Sequence, residues 1–321
     1  MIVITGAAGF IGSCLAGYFN RIGRDDLILV DDYSKSEKYP NLDHKKYHLK
    51  LDRKMFPQAL EESAGDIEQV IHLGARTDTT EFNKALLKEL NTDYSERVWN
   101  FCTQHQIPLI YASSAATYGD GVNGYSDNHS KTKGLKPLNP YGDSKQIFDE
   151  WVLDQQTQPP FWAGLKFFNV YGPNEYHKGR MASVILHAFN QMQKDGKITL
   201  FRSHNPEFED GYQLRDFIYV MDVVEVIVWL MKEKVASGIY NLGTGKARAF
   251  FDLASATAKA LDQELSINWV DIPEDIRDKY QYYTEADMSK LHDAGYTKEF
   301  TSLEQGIDEY VRQYLLPNKT Y

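Results

Sequence analysis

Cysteine is almost missing. Cys14 and Cys102 are the only two in 321 residues, too few for a disulfide framework, and neither lies in a CxxC or Cys/His ligand spacing. A reducing compartment and no metal site are expected. Basic excess is missing too. Thirty-five Lys and Arg face 45 Asp and Glu, a formal charge of −10, which argues against a nucleic-acid or anionic-membrane partner and leaves any anionic ligand to be met by local cations. Long apolar runs are missing as well: the stretch Phe217 to Met231 carries Asp222 and Glu225 and is too short and charged to span a bilayer. The opening Met1-Ile2-Val3-Ile4 has no basic region or cleavage site before it, so no secretory leader is expected and the cytoplasm is the expected location. What remains is an ordinary globular composition, 42% hydrophobic and 25% charged with 22 Gly and 11 Pro, without repeats or low-complexity bias.

Short apolar runs alternate with helix-period segments through the first half: Ile2 to Ile4, Leu27 to Val30, Val70 to Leu73, Leu109 to Tyr111 and Gly164 to Phe167, with helices expected at Gly12 to Ile22, Ala85 to Gln104 and Ser144 to Gln155. Such short, apolar strands joined by helices predict an α/β fold, a doubly wound parallel sheet covered on both faces. After Pro173 longer helices are expected, at Ala182 to Lys194, Val220 to Lys234, Phe251 to Leu261 and Ser302 to Leu315, between loops rich in charge and aromatics. This divides the chain into a dinucleotide-binding domain, 1–172, to which part of 216–245 could return, and a smaller C-terminal α/β substrate lobe, 173–321. The polar stretch Gly119 to Pro137 reads as a surface loop. The 21 Tyr and 16 Phe read first as core packing.

Thr5-Gly6-Ala7-Ala8-Gly9-Phe10-Ile11-Gly12 follows the first strand and opens a helix. Glycines at 6, 9 and 12 suit a tight turn, backbone approach to a pyrophosphate and close helix–strand packing, with phosphate at the helix N-terminus. The next strand ends in Asp31-Asp32, where a carboxylate can accept from a ribose hydroxyl. Asp31 favours NAD by repelling a 2′-phosphate, whereas Lys35, Lys38 and Lys54 can compensate it, so both cofactors stay open at this point.

Tyr141 and Lys145, four apart on a helix expected to begin near Pro140, project from one face. An adjacent ammonium can lower a phenol's pKa and make it a base near neutrality. Ser113-Ser114-Ala115-Ala116-Thr117-Tyr118-Gly119 after the strand at Leu109 adds a hydroxyl for the substrate oxygen. His72 on an apolar strand reads as a core histidine, and His177 as structural or rim.

The three-and-three glycine spacing with Ser114, Tyr141 and Lys145 resembles the short-chain dehydrogenase/reductase superfamily. Pro140-Tyr141-Gly142, Phe168-Asn169-Val170-Tyr171-Gly172-Pro173, His177-Lys178-Gly179, Met181-Ala182-Ser183-Val184, Arg215-Asp216-Phe217 and Asn241-Leu242-Gly243-Thr244-Gly245 follow in order along nearly the whole chain. Together they resemble the extended nucleotide-sugar epimerase and dehydratase family, and within it the heptose 6-epimerases. The resemblance implies inversion of carbon 6 in ADP-D-glycero-D-manno-heptose through a transient ketone, with bound NADP, NAD being the other possibility. It implies Tyr141, Lys145, Ser114 and a second acid/base, Lys178, as catalytic residues. Cofactor contacts fall on Gly6, Gly9, Phe10, Ile11, Gly12, Asp31, Asp32, Lys38, Lys54, Leu73, Gly74, Ala75 and Asn91 besides Tyr141 and Lys145. Substrate contacts fall on Ser114, Asn169, Val170, Lys178, Arg180, His187, Phe201, Arg202, Ser203, Arg215 and Tyr280. It also implies a homo-oligomer, a pentamer by the family's habit, with no nucleic-acid or membrane partner. The sequence departs from the pattern at Arg180 and Arg76, where small side chains are usual, and in a longer segment, Ser203 to Leu214.

Two other functions compete. A 4,6-dehydratase would share the glycine loop and the Tyr/Lys pair, but carries an Asp-Glu pair beside the catalytic hydroxyl where Ala115-Ala116 stand here. A non-catalytic dinucleotide sensor would not need Ser114, Tyr141 and Lys145 together.

Overall fold

The computed structural model describes residues 1–233, 235–277 and 280–321. Its strands are β1 (Ile2–Thr5), β2 (Leu27–Asp31), β3 (Leu49–Asp52), β4 (Gln69–His72), β5 (Leu109–Ser114), β6 (Trp162–Phe167), β7 (Asn169–Tyr171), β8 (Ile198–Phe201), β9 (Leu214–Tyr219), β10 (Gly238–Leu242), β11 (Ala247–Ala249) and β12 (Ile267–Val270). Seven of them form one sheet in the order β10-β6-β5-β4-β1-β2-β3, with every neighbouring pair parallel. The expected doubly wound sheet is present.

Its two faces bury alternate residues, as the period of a strand requires. Ile2, Ile4, Leu27, Leu29, Ile71 and Ile110 pack in one core with Cys14, Leu15 and Phe19 of helix Phe10–Arg21 and with Val223, Val224 and Ile227 of helix Val220–Lys232. Val3, Ile28, Val70 and Leu109 pack in the other with Val98, Trp99 and Cys102 of helix Tyr94–Gln104 and with Phe148 and Val152 of helix Pro140–Leu153. Each fully buried aliphatic here contributes about 1.5–3 kcal/mol. The chain runs from β1 out to β3 in one direction and from β4 out to β6 in the other. This opens the switch-point crevice beyond the carboxyl ends of β1 and β4.

Beyond β6 the chain builds two small sheets, β11-β9-β7 and β12-β8, and returns β10 to the large sheet beside β6. The helices expected at Ala182, Phe251 and Ser302 occur as Val184–Asp195, Phe250–Ala260 and Leu303–Glu309, the last followed by a π-helical turn at Tyr310–Leu315. The helix from Val220 is described to Lys232, and Lys234, its expected end, lies outside the described residues.

Two expectations need correction. The helix expected as continuous over Ala85 to Gln104 begins at Lys84–Leu87, widens into a π turn at Lys88–Asp93 and resumes as Tyr94–Gln104. The stretch Gly119 to Pro137 is more than a surface loop: it crosses the outer edge of β10 and supplies acceptors for it. Buried Asp127 accepts from Asn241 N at 2.8 Å, and His129 Nε2 accepts from Ile239 N at 3.0 Å. Edge N–H groups that no strand pairs are thereby satisfied.

Candidate active site

The glycine loop lies at the switch point. Gly6 has φ +68°, and a Cβ there would sit 2.8 Å from the Cα of Gly74 at the end of β4. A Cβ on Gly12 would sit 2.3 Å from the Gly6 carbonyl oxygen. Only glycine leaves this cradle open, and helix Phe10–Arg21 starts from it with no acidic residue in its first turn, so an anion can approach the free N–H groups. That is the fit expected for a dinucleotide pyrophosphate. Gly6, Phe10, Ile11, Gly12, Leu73, Gly74 and Ala75 all line one cavity of about 830 Å³. Gly9 stands just behind, its N–H on the Gly6 carbonyl at 3.0 Å.

Asp31 ends β2 almost fully buried. Its carboxylate accepts from Ala8 N at 2.8 Å, Asp32 N at 2.7 Å and Lys38 Nζ at 2.9 Å. Asp32, Lys35 and Lys38 line the cavity. Lys54 does not: it is exposed one residue past Arg53, which lines the cavity instead and pairs with Asp32 at 3.3 Å. Asn91 is also absent from the lining. Its side chain lies in the π turn, wholly buried, and bonds Arg76 N at 2.7 Å, Arg76 O at 3.0 Å and Ser144 Oγ at 2.9 Å, so it staples the turn after β4 to the helix that carries Tyr141.

Ser114 ends β5, and Tyr141 stands in the first turn of helix Pro140–Leu153. Asn139 caps that helix by accepting from Gly142 N at 2.8 Å, and Pro140 opens it. Ser114, Tyr141 and Lys145 all line the cavity. Burial raises the Tyr141 phenol above its usual range, opposed by a hydrogen bond with Ser114. The lowering expected from a neighbouring ammonium is therefore not found. Lys145 donates to the Ala112 carbonyl at 2.7 Å, and burial pushes its pKa down to about 8 against the pull of Asp149.

Behind these groups lies a network that motif reading missed. Lys166 and Asp149, each 0% exposed, pair at 2.7 Å. Asp149 accepts from Ser113 Oγ at 2.7 Å and Tyr111 Oη at 3.1 Å. Lys166 donates to Thr117 Oγ1 at 2.6 Å, and Thr117 in turn donates to the Ser114 carbonyl at 2.8 Å. The end of β5 is thus held from both sides. His72 is the core histidine expected, bonded to Thr5 Oγ1 at 2.6 Å and Ser95 Oγ at 2.9 Å and pushed down to about 3 by burial.

From the chain beyond β6, Asn169, Val170, His177 and Lys178 reach the same cavity. Lys178 Nζ lies 5.2 Å from the centre of the Phe10 ring. Burial lowers its pKa, opposed by Glu175. Arg180 is exposed and stands outside the lining, 3.6 Å from Asp78, which Arg76 also approaches at 3.5 Å. His187 contacts the Arg180 carbonyl at 3.4 Å and does not line the cavity.

The remaining expected substrate residues gather elsewhere. Arg215 lies 5.7 Å from the Phe250 ring, which lines the cavity, and 5.5 Å from the Tyr280 ring. Tyr280 lines a second groove of about 390 Å³ with Tyr125, Phe208, Tyr282 and Tyr283. Phe201 packs edge-on to Tyr280 at 6.0 Å. Arg202 pairs with Asp271 at 3.6 Å, and Ser203 donates to the Asn205 carbonyl at 2.7 Å. Arg215 does not pair with Asp216. That carboxylate is buried and takes Thr244 N at 2.7 Å, Gly245 N at 2.9 Å and Ala286 N at 3.1 Å. Among the described residues no His/Cys/Asp/Glu group is arranged to hold a metal, and no helix is long and apolar enough to cross a membrane.

A doubly wound parallel sheet with a glycine cradle at its switch point, and a Ser, Tyr and Lys facing the same cavity, define a nicotinamide-dependent enzyme of the short-chain dehydrogenase/reductase kind. The chain belongs to the NAD dependent epimerase/dehydratase family, whose model matches residues 2–243. It is 46% identical to an ADP-L-glycero-D-manno-heptose-6-epimerase of Fusobacterium nucleatum over 100% of both chains, and 47% identical to one of Nitratidesulfovibrio vulgaris over 98% of both. Among solved structures, the ADP-L-glycero-D-manno-heptose-6-epimerase of Helicobacter pylori is similar at 29% identity and TM-score 0.81, covering 97% of this chain and 95% of that one. A UDP-N-acetylglucosamine 4-epimerase from Methanobrevibacter ruminantium, at 22% identity and TM-score 0.83 over 98% of both chains, shares the fold.

Proposed function

We propose that this chain inverts carbon 6 of ADP-D-glycero-D-manno-heptose to give the L-glycero epimer, with NADP as its nicotinamide cofactor. The observation that carries this reading is the full-length identity with heptose 6-epimerases in a chain whose Tyr141, on a helix, and Lys178, on a loop, line one cavity. The hydrogen on carbon 6 is not acidic, so the nicotinamide supplies reversible hydride acceptance there. The sugar oxygen loses its proton as the ketone forms and regains one when the ketone is reduced. Reduction on the other face requires the ketone to turn over, which moves that oxygen to a new position. Two groups then serve better than one: Tyr141, with Ser114 bonding the same oxygen and Lys145 beside it, and Lys178. Burial eases deprotonation of Lys178, so it can act as acid for one epimer and base for the other. The test is incubation with ADP-D-glycero-D-manno-heptose, followed by NMR at carbon 6, with UDP-, GDP- and dTDP-sugars as controls. Inversion of only the ADP-heptose supports the assignment, and inversion or dehydration of another sugar in its place overturns it.

NADP is favoured because Lys35, Lys38 and Arg53 line the cavity and the Asp31 carboxylate already takes Ala8 N, Asp32 N and Lys38, leaving it less able to select a free ribose diol. Identifying the nucleotide released by heat decides this, and NAD alone would refute it. Asn169 and Val170 are proposed to bind the sugar, and Arg180, His187, Phe201, Arg202, Ser203, Arg215 and Tyr280 the nucleotide end. Arg215 is the diphosphate ligand, since a guanidinium fork suits phosphate oxygens. A cytoplasmic homo-oligomer, a pentamer, completes the proposal, and light scattering at low and high protein concentration tests the assembly.

A further inference from the structure

Tyr176–Met181, the turn that carries Lys178, holds no fully buried residue, and Tyr176, His177 and Lys178 are half-buried. The residue just before it, Glu175, is fully buried. Its carboxylate accepts from Ser183 Oγ at 2.6 Å, Ser183 N at 2.5 Å and Gly172 N at 3.4 Å, and its carbonyl accepts from Lys178 N at 3.0 Å. Gly172 closes the turn after β7, and Ser183 caps the following helix by accepting from Leu186 N at 3.3 Å. One carboxylate therefore joins both ends of the 172–183 loop from beneath.

We propose that Glu175 is the positioning residue for Lys178: it ties the loop shut at Gly172 and Ser183 and sets its carboxylate beneath the turn that holds the Lys178 amine at the cavity. This rests on the reading of Lys178 as the second acid/base. Lys178 is the cation facing Glu175. The Cys14 thiol comes from helix Phe10–Arg21, and the Tyr176 and Tyr310 phenols from the loop itself and the C-terminal helix. Burial raises these three groups and leaves them neutral at ordinary pH; it raises the Glu175 carboxyl as well, opposed by the Ser183 hydroxyl, Lys178 and the Ser183 and Gly172 N–H groups. The buried Tyr310 hydroxyl also faces this carboxylate. Burial lowers Lys178, and Glu175 opposes the shift; removing the carboxylate charge must lower Lys178 further.

The test compares Glu175→Gln, Glu175→Asp and Ser183→Ala with the unaltered enzyme, all with cofactor bound. Lysines are reductively methylated with ¹³C, and the Lys178 signal is assigned by its loss in Lys178→Arg. In Glu175→Gln the Lys178 amine should titrate at lower pH, kcat should fall about tenfold with KM within twofold, and the limb of the pH profile that depends on Lys178 should move in the same direction. Glu175→Asp should restore most of the titration shift. Ser183→Ala keeps the charge, so it should lower kcat while leaving the Lys178 titration unmoved, and it serves in place of Glu175→Gln should that variant not fold. An unchanged titration and unchanged kcat in folded Glu175→Gln overturns the proposal, as does an unchanged kcat in Ser183→Ala. Should Lys178→Met turn over at the normal rate, the acid/base reading fails, while the titration still decides whether Glu175 governs Lys178.

Discussion

The two walls of the cavity hold their reactive groups by different means. On the sheet wall, Lys145 is spent on the Ala112 carbonyl, and the strand end beneath Ser114 is gripped by the buried Lys166–Asp149 pair through Ser113 and Thr117. On the lobe wall, Lys178 rides a short, half-buried turn anchored through Glu175. A group set in regular structure borrows rigidity from a ladder of backbone bonds, whereas a group on a turn needs a dedicated brace. Loss of a brace on the sheet wall should therefore cost stability, and loss of the brace on the lobe wall should cost rate.

The largest expected effect is on the sheet wall. Lys166→Met strands the Asp149 charge in the core and should cost about 3–5 kcal/mol by denaturant unfolding, while Lys166→Met with Asp149→Leu should recover most of that. A single-variant loss below about 1 kcal/mol would mean that the pair does not hold this wall. Next, Tyr141→Phe and Lys178→Met should each cut turnover by roughly a hundredfold or more with cofactor retained. Normal turnover in Lys178→Met would reduce the chemistry to the sheet wall alone. Arg215→Ala should raise KM for the sugar nucleotide about tenfold or more, the scale of a lost charge-assisted hydrogen bond, without weakening cofactor binding. An unaltered KM would leave that arginine a purely packing role.

Two histidines sharpen the comparison through pH. Burial lowers His177 on the lobe wall to about 4 and His72 on the sheet wall to about 3, below the usual 6.5. Both folded pKa values lie below the unfolded one, so the stability each contributes is full above pH 6.5 and is lost as pH falls through its folded value. Imidazole NMR on acidification should show His177 charging first. The reverse order would make the loop the firmer side. The smallest effect is expected at the cavity lip, where Arg180→Ala removes an exposed pair with Asp78 and should change stability by less than about 1 kcal/mol; a larger change by calorimetry would mean that the lip braces both walls.

Much of the sheet wall was legible because its signals are local. Gly6, Gly9 and Gly12 fall within one turn, and Tyr141 and Lys145 within one helical step. What was not legible depends on register and distance. Lys54 is exposed while its neighbour Arg53 lines the cavity, a difference of one position in the turn after β3 that no residue pattern marks. Asn91 has the right type for a ligand contact, yet both ends of its amide are used within the protein, in a π turn that no residue pattern announces. Nothing in the sequence marks Asp149, Lys166 or Glu175 as partnered charges until the fold buries them against their partners. Asp127 and His129 lay in a stretch polar enough to pass for a solvated loop, and only the unpaired edge of β10 gives them work.

That edge strand has a consequence for how the protein is made. β10 pairs with β6 across the intervening 168–237, and its outer side is closed by Asp127 and His129 from much earlier in the chain. A ribosome that has released only the first six strands has produced a sheet with β6 as a bare edge, and acceptors at Asp127 and His129 with nothing to receive. Completion waits until residue 242 has emerged, by which time β7, β8 and β9 have been made. Completion of the large sheet is thus coupled to synthesis of the whole segment 168–237. The contacts that finish the sheet are long-range ones, which form slowly, and until they form β6 is the edge most exposed to pairing with another chain.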